Sequence, residues 1–252
     1  MIALSRLCSA AVLMLTLLLA AGGRAAEQPA GGGAGGDLVT QAIRLLHPHY
    51  TAANPALGPV PLEDHLFLLG VPAFKSWTPA ESPLLPADLR ILALAERDEA
   101  DGGLSFAVEV GLFTVKGGTL ALLTSAKLDD PDMVTDQGAH LVGATLDLAP
   151  YRIREGETAF GVRVQSAYDA AGAGAHVGGE TLYLLRPLKD AEPAVIFSAP
   201  VAYEDADGKA APKGTLVISQ KKTQGFYDLL LKTGAKSTVY RWTGDAYERQ
   251  GG

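Results

Sequence analysis

The 252-residue chain predicts an all-β fold, an antiparallel β-sandwich behind one short N-terminal helix, and three observations predict it. From Arg90 onward apolar and polar residues alternate with the period of two that marks half-buried strands. The runs are short and separated by turn chemistry such as DEADGG, KGG, REGE, KTQG, TGAK and TGD. No helical period intervenes between them, which favours hairpin connections over crossovers. A two-sheet sandwich is the first expectation and a barrel the second.

The first 25 residues read as an export leader. Arg6 supplies the positive start, residues 10–21 form a charge-free, largely apolar run, and Gly22 and Gly23 follow. Cleavage is expected after Ala25, with Gly22 as the alternative, and the run is short for a bilayer span. The only cysteine, Cys8, precedes the apolar run, so the exported form is expected to carry no disulfide, thiol nucleophile or cysteine metal site. The address implied is periplasmic or secreted, with no membrane attachment after cleavage.

Residues 26–36, ending in GGGAGG, predict a flexible tether. Residues 37–89 are expected to hold a short helix and a proline-rich wrap. Asp37 stands where an N-cap belongs, Leu38, Ala42, Leu45 and Leu46 share one helical side, and Pro48 stops the helix. Pro55, Pro59, Pro61, Pro72, Pro79, Pro83 and Pro86 then forbid long regular elements, leaving an irregular segment that tucks Phe67, Phe74 and Trp77 against the core.

Residues 90–252 form the expected β domain. Its organising stretch is AFGVRVQSAYDAAGAGAHVGGETLYLLRPL, read as a hairpin in which Phe160, Val162, Val164 and Tyr168 share one face and Arg163 and Gln165 the other. Leu182 and Leu184 are expected to continue the apolar face on the return strand. Phe106, Val108 and Val110 are spaced like Phe160, Val162 and Val164, and the two GG turns that follow each lead into a leucine-rich strand. This suggests a duplicated β unit, against the alternative that hairpins resemble one another by composition.

Charge narrows the partners. Lys and Arg number 21 against 28 Asp and Glu, a net charge of −7, and losing Arg6 and Arg24 with a leader makes the balance more negative. That sign repels phosphate backbones and anionic lipid, so neither nucleic acid nor membrane is an expected partner.

No coherent catalytic set emerges. There is no GxSxG elbow, no HExxH, no Cys/His cluster and no GKS or GKT loop. His47 and His49 flank Pro48, but a metal site needs a third ligand that the local sequence does not supply. No catalytic residue and no cofactor is therefore assigned. Weak calcium candidates are Asp205 and Asp207 in EDADGK and Asp129 and Asp132 in DDPD, neither with a full set of loop ligands. Tyr203, Tyr240, Trp242 and Tyr247 are candidates for a ligand-binding surface, with cross-strand or core packing as the competing reading.

The C-terminal strands TQGFYDLLL and VYRWTGDAY resemble those of bacterial exported β-rich proteins of unknown function, and also integrin-type propeller repeats, from whose DxDGDG loop EDADGK departs by lacking the third acid. The resemblance implies a periplasmic β module and no particular reaction. The expected function is accordingly non-catalytic binding of a macromolecule or cell-envelope component, a protein or glycan, with a carboxylate-dependent hydrolase of an envelope polymer as the alternative.

Overall fold

Strand patterning dominates the architecture as the alternation requires. The computed structural model describes residues 35–51, 60–79, 85–86, 88–100, 104–128, 139–169, 176–203 and 210–251, all within one unit, Gly33–Gly252. The described elements are α1 (Gly35–Leu46), β1 (Val60–Pro61), β2 (Leu66–Trp77), β3 (Leu89–Asp98), β4 (Ser105–Lys116), β5 (Thr119–Leu128), β6 (Ala139–Arg154), β7 (Glu157–Asp169), β8 (His176–Leu188), β9 (Ala191–Tyr203), β10 (Gly214–Thr223), β11 (Phe226–Thr233), β12 (Lys236–Trp242) and β13 (Tyr247–Arg249). They form three open antiparallel sheets in meander order: β1 to β5, β6 to β9 and β10 to β13. The all-β, sandwich-like class is as expected; the number of sheets is three instead of two, and none closes into a barrel.

Two-residue turns set most of the registers. Gly117 and Gly118 join β4 to β5, and Gln224 and Gly225 join β10 to β11, each pair with positive φ at both residues. Such turns match the right-handed twist of the strands they connect, and glycine meets that backbone requirement without a Cβ penalty.

The sheets stack because their faces are apolar on matching sides. Ile91, Ala93 and Ala95 of β3 and Val108, Val110 and Leu112 of β4 meet Leu146, Phe160, Val162, Val164, Tyr183 and Leu185 of the middle sheet. The triplets Phe106, Val108, Val110 and Phe160, Val162, Val164 thus line one core from opposite sheets. The other face of the middle sheet presents Ile153, Leu182, Leu184, Phe197 and Val201 to Phe226, Leu229, Leu231 and Trp242 of the last sheet. On the outer face of the first sheet, Leu92, Leu94, Phe113 and Leu120 receive Ala42 and Ile43 of α1. The order of layers is helix, sheet, sheet, sheet.

Three expectations change. Leu182 and Leu184 do not share the face of Val162: they pair with Arg163 and Gly161, while Tyr183 and Leu185 oppose Val162 and Phe160. Directly opposed residues share a face, so the organising hairpin is buried on both sides and simple alternation misassigns its return strand. The residues between Trp77 and the helix are not all irregular either. β2 is a full strand paired along β3, and its ladder breaks between Leu69 and Ala73, around Gly70 with positive φ and Pro72. A proline that cannot donate to the ladder is tolerated where the strand bulges. The segment is therefore continuous with the first sheet, and Trp77, though tucked against the core as expected, gets there as the last residue of a strand.

The third change concerns α1, which starts at Gly35, inside the expected tether, and turns Ile43 inward at 0% exposure while Leu45 is 41% exposed. The buried stripe follows residues 39, 42, 43 and 46, and ends before Pro48 as expected. The expected leader, the expected tether up to residue 34 and the connection at 170–175 lie outside the described residues.

Candidate functional site

The end of α1 delivers a histidine onto charged positions of the first sheet. Beyond Leu46 the His47 amide still donates to the Ile43 carbonyl at 2.7 Å, and Tyr50 turns back to donate to the His47 carbonyl at 3.0 Å. His47 thus falls one turn beyond Ile43 on the buried stripe and points down at the sheet. There the outer-face alternation of β3, Leu92 then Leu94, continues to Glu96; that of β4 runs Glu109, Gly111, Phe113. Glu109 opposes Leu94 on one side and Lys127 of β5 on the other, which makes Glu96 and Glu109 diagonal neighbours on one face.

His47 Nε2 lies 3.0 Å from Glu96 Oε1 and 3.0 Å from Glu109 Oε2. Its other nitrogen, Nδ1, lies 3.2 Å from Oε1 of Glu63, in the turn between β1 and β2. Lys127 Nζ stands 3.4 Å from Glu96 Oε2, an ion-pair distance, yet that oxygen makes no hydrogen bond within the described structure although the Glu96 side chain is 1% exposed. Carboxylates on both ring nitrogens favour the imidazolium, which donates from each. Burial alone would lower the His47 pKa, but the hydrogen bonds to Glu109 and Glu96 and their negative charge outweigh it and raise it to about 10. Burial would likewise raise Glu109, and the His47 imidazolium overcomes that and holds its carboxyl below the ordinary range. His47, Glu96 and Glu109 form a buried group whose ligand atoms all lie within 4.8 Å of one another.

Beside this group opens a pocket of 640 Å³ lined by His49, Glu63, Asp64, His65, Leu66, Asp98, Ala100 and Lys127. Glu63 and Lys127 connect the two: each lines the pocket, and each contacts the buried group, Glu63 at His47 and Lys127 at Glu96. Three of the chain's five histidines converge here with five carboxylates. With Lys127 and His47 positive, the surplus is still negative, and a concave site with one dominant sign concentrates counter-ions.

The chain matches no protein-family model, no curated protein and no solved structure. The reading of the site rests on its own geometry.

The residues singled out from sequence fall elsewhere. Trp242 and Tyr247 are buried, Trp242 stacked on Phe226 with centroids 3.9 Å apart and Tyr247 donating its hydroxyl to the Tyr227 carbonyl at 2.9 Å. Tyr240 is half-buried against Phe197 at 5.0 Å. Of the four, Tyr203 alone is exposed, so Trp242 and Tyr247 take the core alternative. Asp129, Asp132, Asp205 and Asp207 lie outside the described residues. The paired acids the structure does bring together, Glu96 and Glu109, sit on the outer face of one sheet beneath a helix, not in a cleft between sheets. Neither was singled out from sequence; the available signal was an acid at an apolar position of a strand, most visibly Glu109 within FAVEVGLF.

A second ionic group links strands of the middle sheet. Arg163 pairs with Asp147 at 2.7 Å and with Glu180, and Tyr151 donates to Asp147 at 2.8 Å. Among the described residues these charges pair with one another, and Lys213 lies 3.5 Å from Glu180 as well.

Proposed function

We propose that the chain is a non-catalytic binding protein of the cell envelope whose acidic pocket takes a positively charged ligand. The observation that carries this reading is the joint lining of one 640 Å³ pocket by Glu63, Asp64 and Asp98, with the buried carboxylates of Glu96 and Glu109 next to it. That volume falls within the range of small-ligand sites, about 300–1,000 Å³. The acids outnumber the single lysine on the rim, so a cation gains where an anion is repelled. The leader-like first 25 residues support an exported address, and the negative net charge fits a protein that collects cations.

Equilibrium dialysis at low ionic strength against Zn²⁺, spermidine and a lysine-rich peptide tests the reading, with the Asp64→Asn/Asp98→Asn double variant as control for the general negative charge. At least one of these cations is expected to be retained by the native protein about tenfold more tightly than by the variant, equivalent to about 1.4 kcal/mol. Equal retention by both proteins, or by neither, overturns it.

A further inference from the structure

We propose that the buried group beside this pocket is a binding site for a divalent first-row transition metal ion, with His47 Nε2, Glu96 and Glu109 as its protein ligands. The inference rests on the reading of the pocket as a cation site and names the class of cation. Four features of the geometry carry it.

The first is convergence. Two carboxylate oxygens face the same imidazole nitrogen at 3.0 Å each, so a single N–H has to be shared between them. An ion bound about 2.1 Å from each ligand sets them about 3.0 Å apart at right angles and about 3.4 Å apart in a tetrahedron, close to the separation seen here. The second is the orientation of the ring. A metal-binding histidine offers one nitrogen to the ion and donates the other N–H to a carboxylate that fixes its tautomer; Glu63 occupies that second position, 3.2 Å from Nδ1. The third is the Glu96 Oε2 atom, which is buried and makes no hydrogen bond while its partner oxygen faces His47. Lys127 Nζ stands 3.4 Å away at ion-pair distance, so this oxygen keeps acceptor capacity for a further contact. The fourth is burial: Glu96 and Glu109 are both buried, whereas Lys127 beside them is half-exposed. A divalent ion between the two carboxylates places its positive charge within the buried group itself.

The donor set defines the class. One imidazole nitrogen with carboxylate oxygens suits zinc, iron or manganese, whereas a thiolate-preferring ion finds no sulfur here. Binding replaces the Nε2 proton: the divalent ion enters, one proton leaves to solvent, and no electron is exchanged.

The test uses the purified protein, stripped with a chelator and titrated with Co²⁺, then with Zn²⁺. One Co²⁺ per chain is expected, with visible absorption that Zn²⁺ abolishes, and with a ¹⁵N shift on Zn²⁺ binding centred on His47 Nε2. Glu96→Gln and Glu109→Gln are expected to weaken binding by about 100-fold or more. Glu63→Gln, acting through the ring, is expected to weaken it by about tenfold, since partners of a ligand cost less than the ligand itself. Should a buried variant fail to fold, the ¹⁵N spectrum of the native protein still decides. An unchanged His47 ring in the presence of bound metal, with His49 or His65 shifting instead, overturns the assignment. Retention of spermidine or the peptide without Co²⁺ or Zn²⁺ overturns the metal site and leaves the pocket reading standing, while retention of no cation overturns both.

Discussion

Trp77 meets Phe160 edge to face, with ring centroids 5.2 Å apart and planes at 63°. The contact joins the end of β2 to β7 and so ties the first sheet to the middle one across their shared core. Trp77→Ala is expected to cost about 3–5 kcal/mol, the range for removing a buried aromatic ring. Trp77→Phe, which keeps a ring in the contact, should cost less. Urea unfolding followed by circular dichroism measures both, and a loss below 1 kcal/mol for the alanine variant would count against this packing.

His47→Ala should destabilise the metal-free protein through a different term. It leaves Glu96 and Glu109 buried without the imidazolium that faces both, and breaking a buried ion pair costs about 3–5 kcal/mol. Glu63→Gln removes a partner whose side chain is 47% exposed, so its effect should stay within about 1 kcal/mol. Thermal denaturation in the presence of chelator separates the two; equal shifts would contradict the burial of the pair.

Gly111 of β4 leaves little space beneath α1. A Cβ there would stand 2.8 Å from the ring of Phe113 and 3.2 Å from Leu46 of the helix. Phe113 is itself fully buried and cannot swing aside. Gly111→Ala should therefore cost about 1–3 kcal/mol by overpacking. Hydrogen exchange should report faster opening of α1 than of β7 and β8 in this variant.

The Asp147 carboxyl has a sign-specific dependence on pH. Burial would raise it, but hydrogen bonds from Tyr151 and Arg163 and the charge of the guanidinium outweigh that and hold it below its ordinary 3.8. A depressed folded-state pKa means that the stabilisation is fully present above 3.8 and is lost as pH falls through the lower folded value. Asp147→Asn should thus be less stable than the native protein by about 1–3 kcal/mol at pH 7. The gap should close below pH 3.8; urea midpoints at pH 7 and pH 3 would show it, and a gap unchanged at pH 3 would refute the assignment.

Much of the β body was legible because turns and alternation agree. KGG, REGE, KTQG and TGAK all mark the two-residue connections that the backbone uses. β2 was not legible, because Pro72 reads as a break whereas the ladder steps around it at a bulge. The face of Leu182 and Leu184 was misread for another reason: a strand buried on both sides does not alternate between apolar and polar, and only register assigns its faces. The site was half visible. His47 stood out beside His49, but its partners lie on strands far along the chain, and a carboxylate on a strand is identified as buried only once the helix above it is placed.

Because the sheet of β6 to β9 is covered on both sides, it has no face that tolerates water, and the C-terminal strands serve as its lid. A chain cut after Tyr203 would uncover Leu182, Leu184, Phe197 and Val201 as one continuous oily wall, of the kind that makes chains stick to each other. The aromatic hairpin of the last sheet thus keeps water from the middle sheet, at the far end of the stack from the charged pocket.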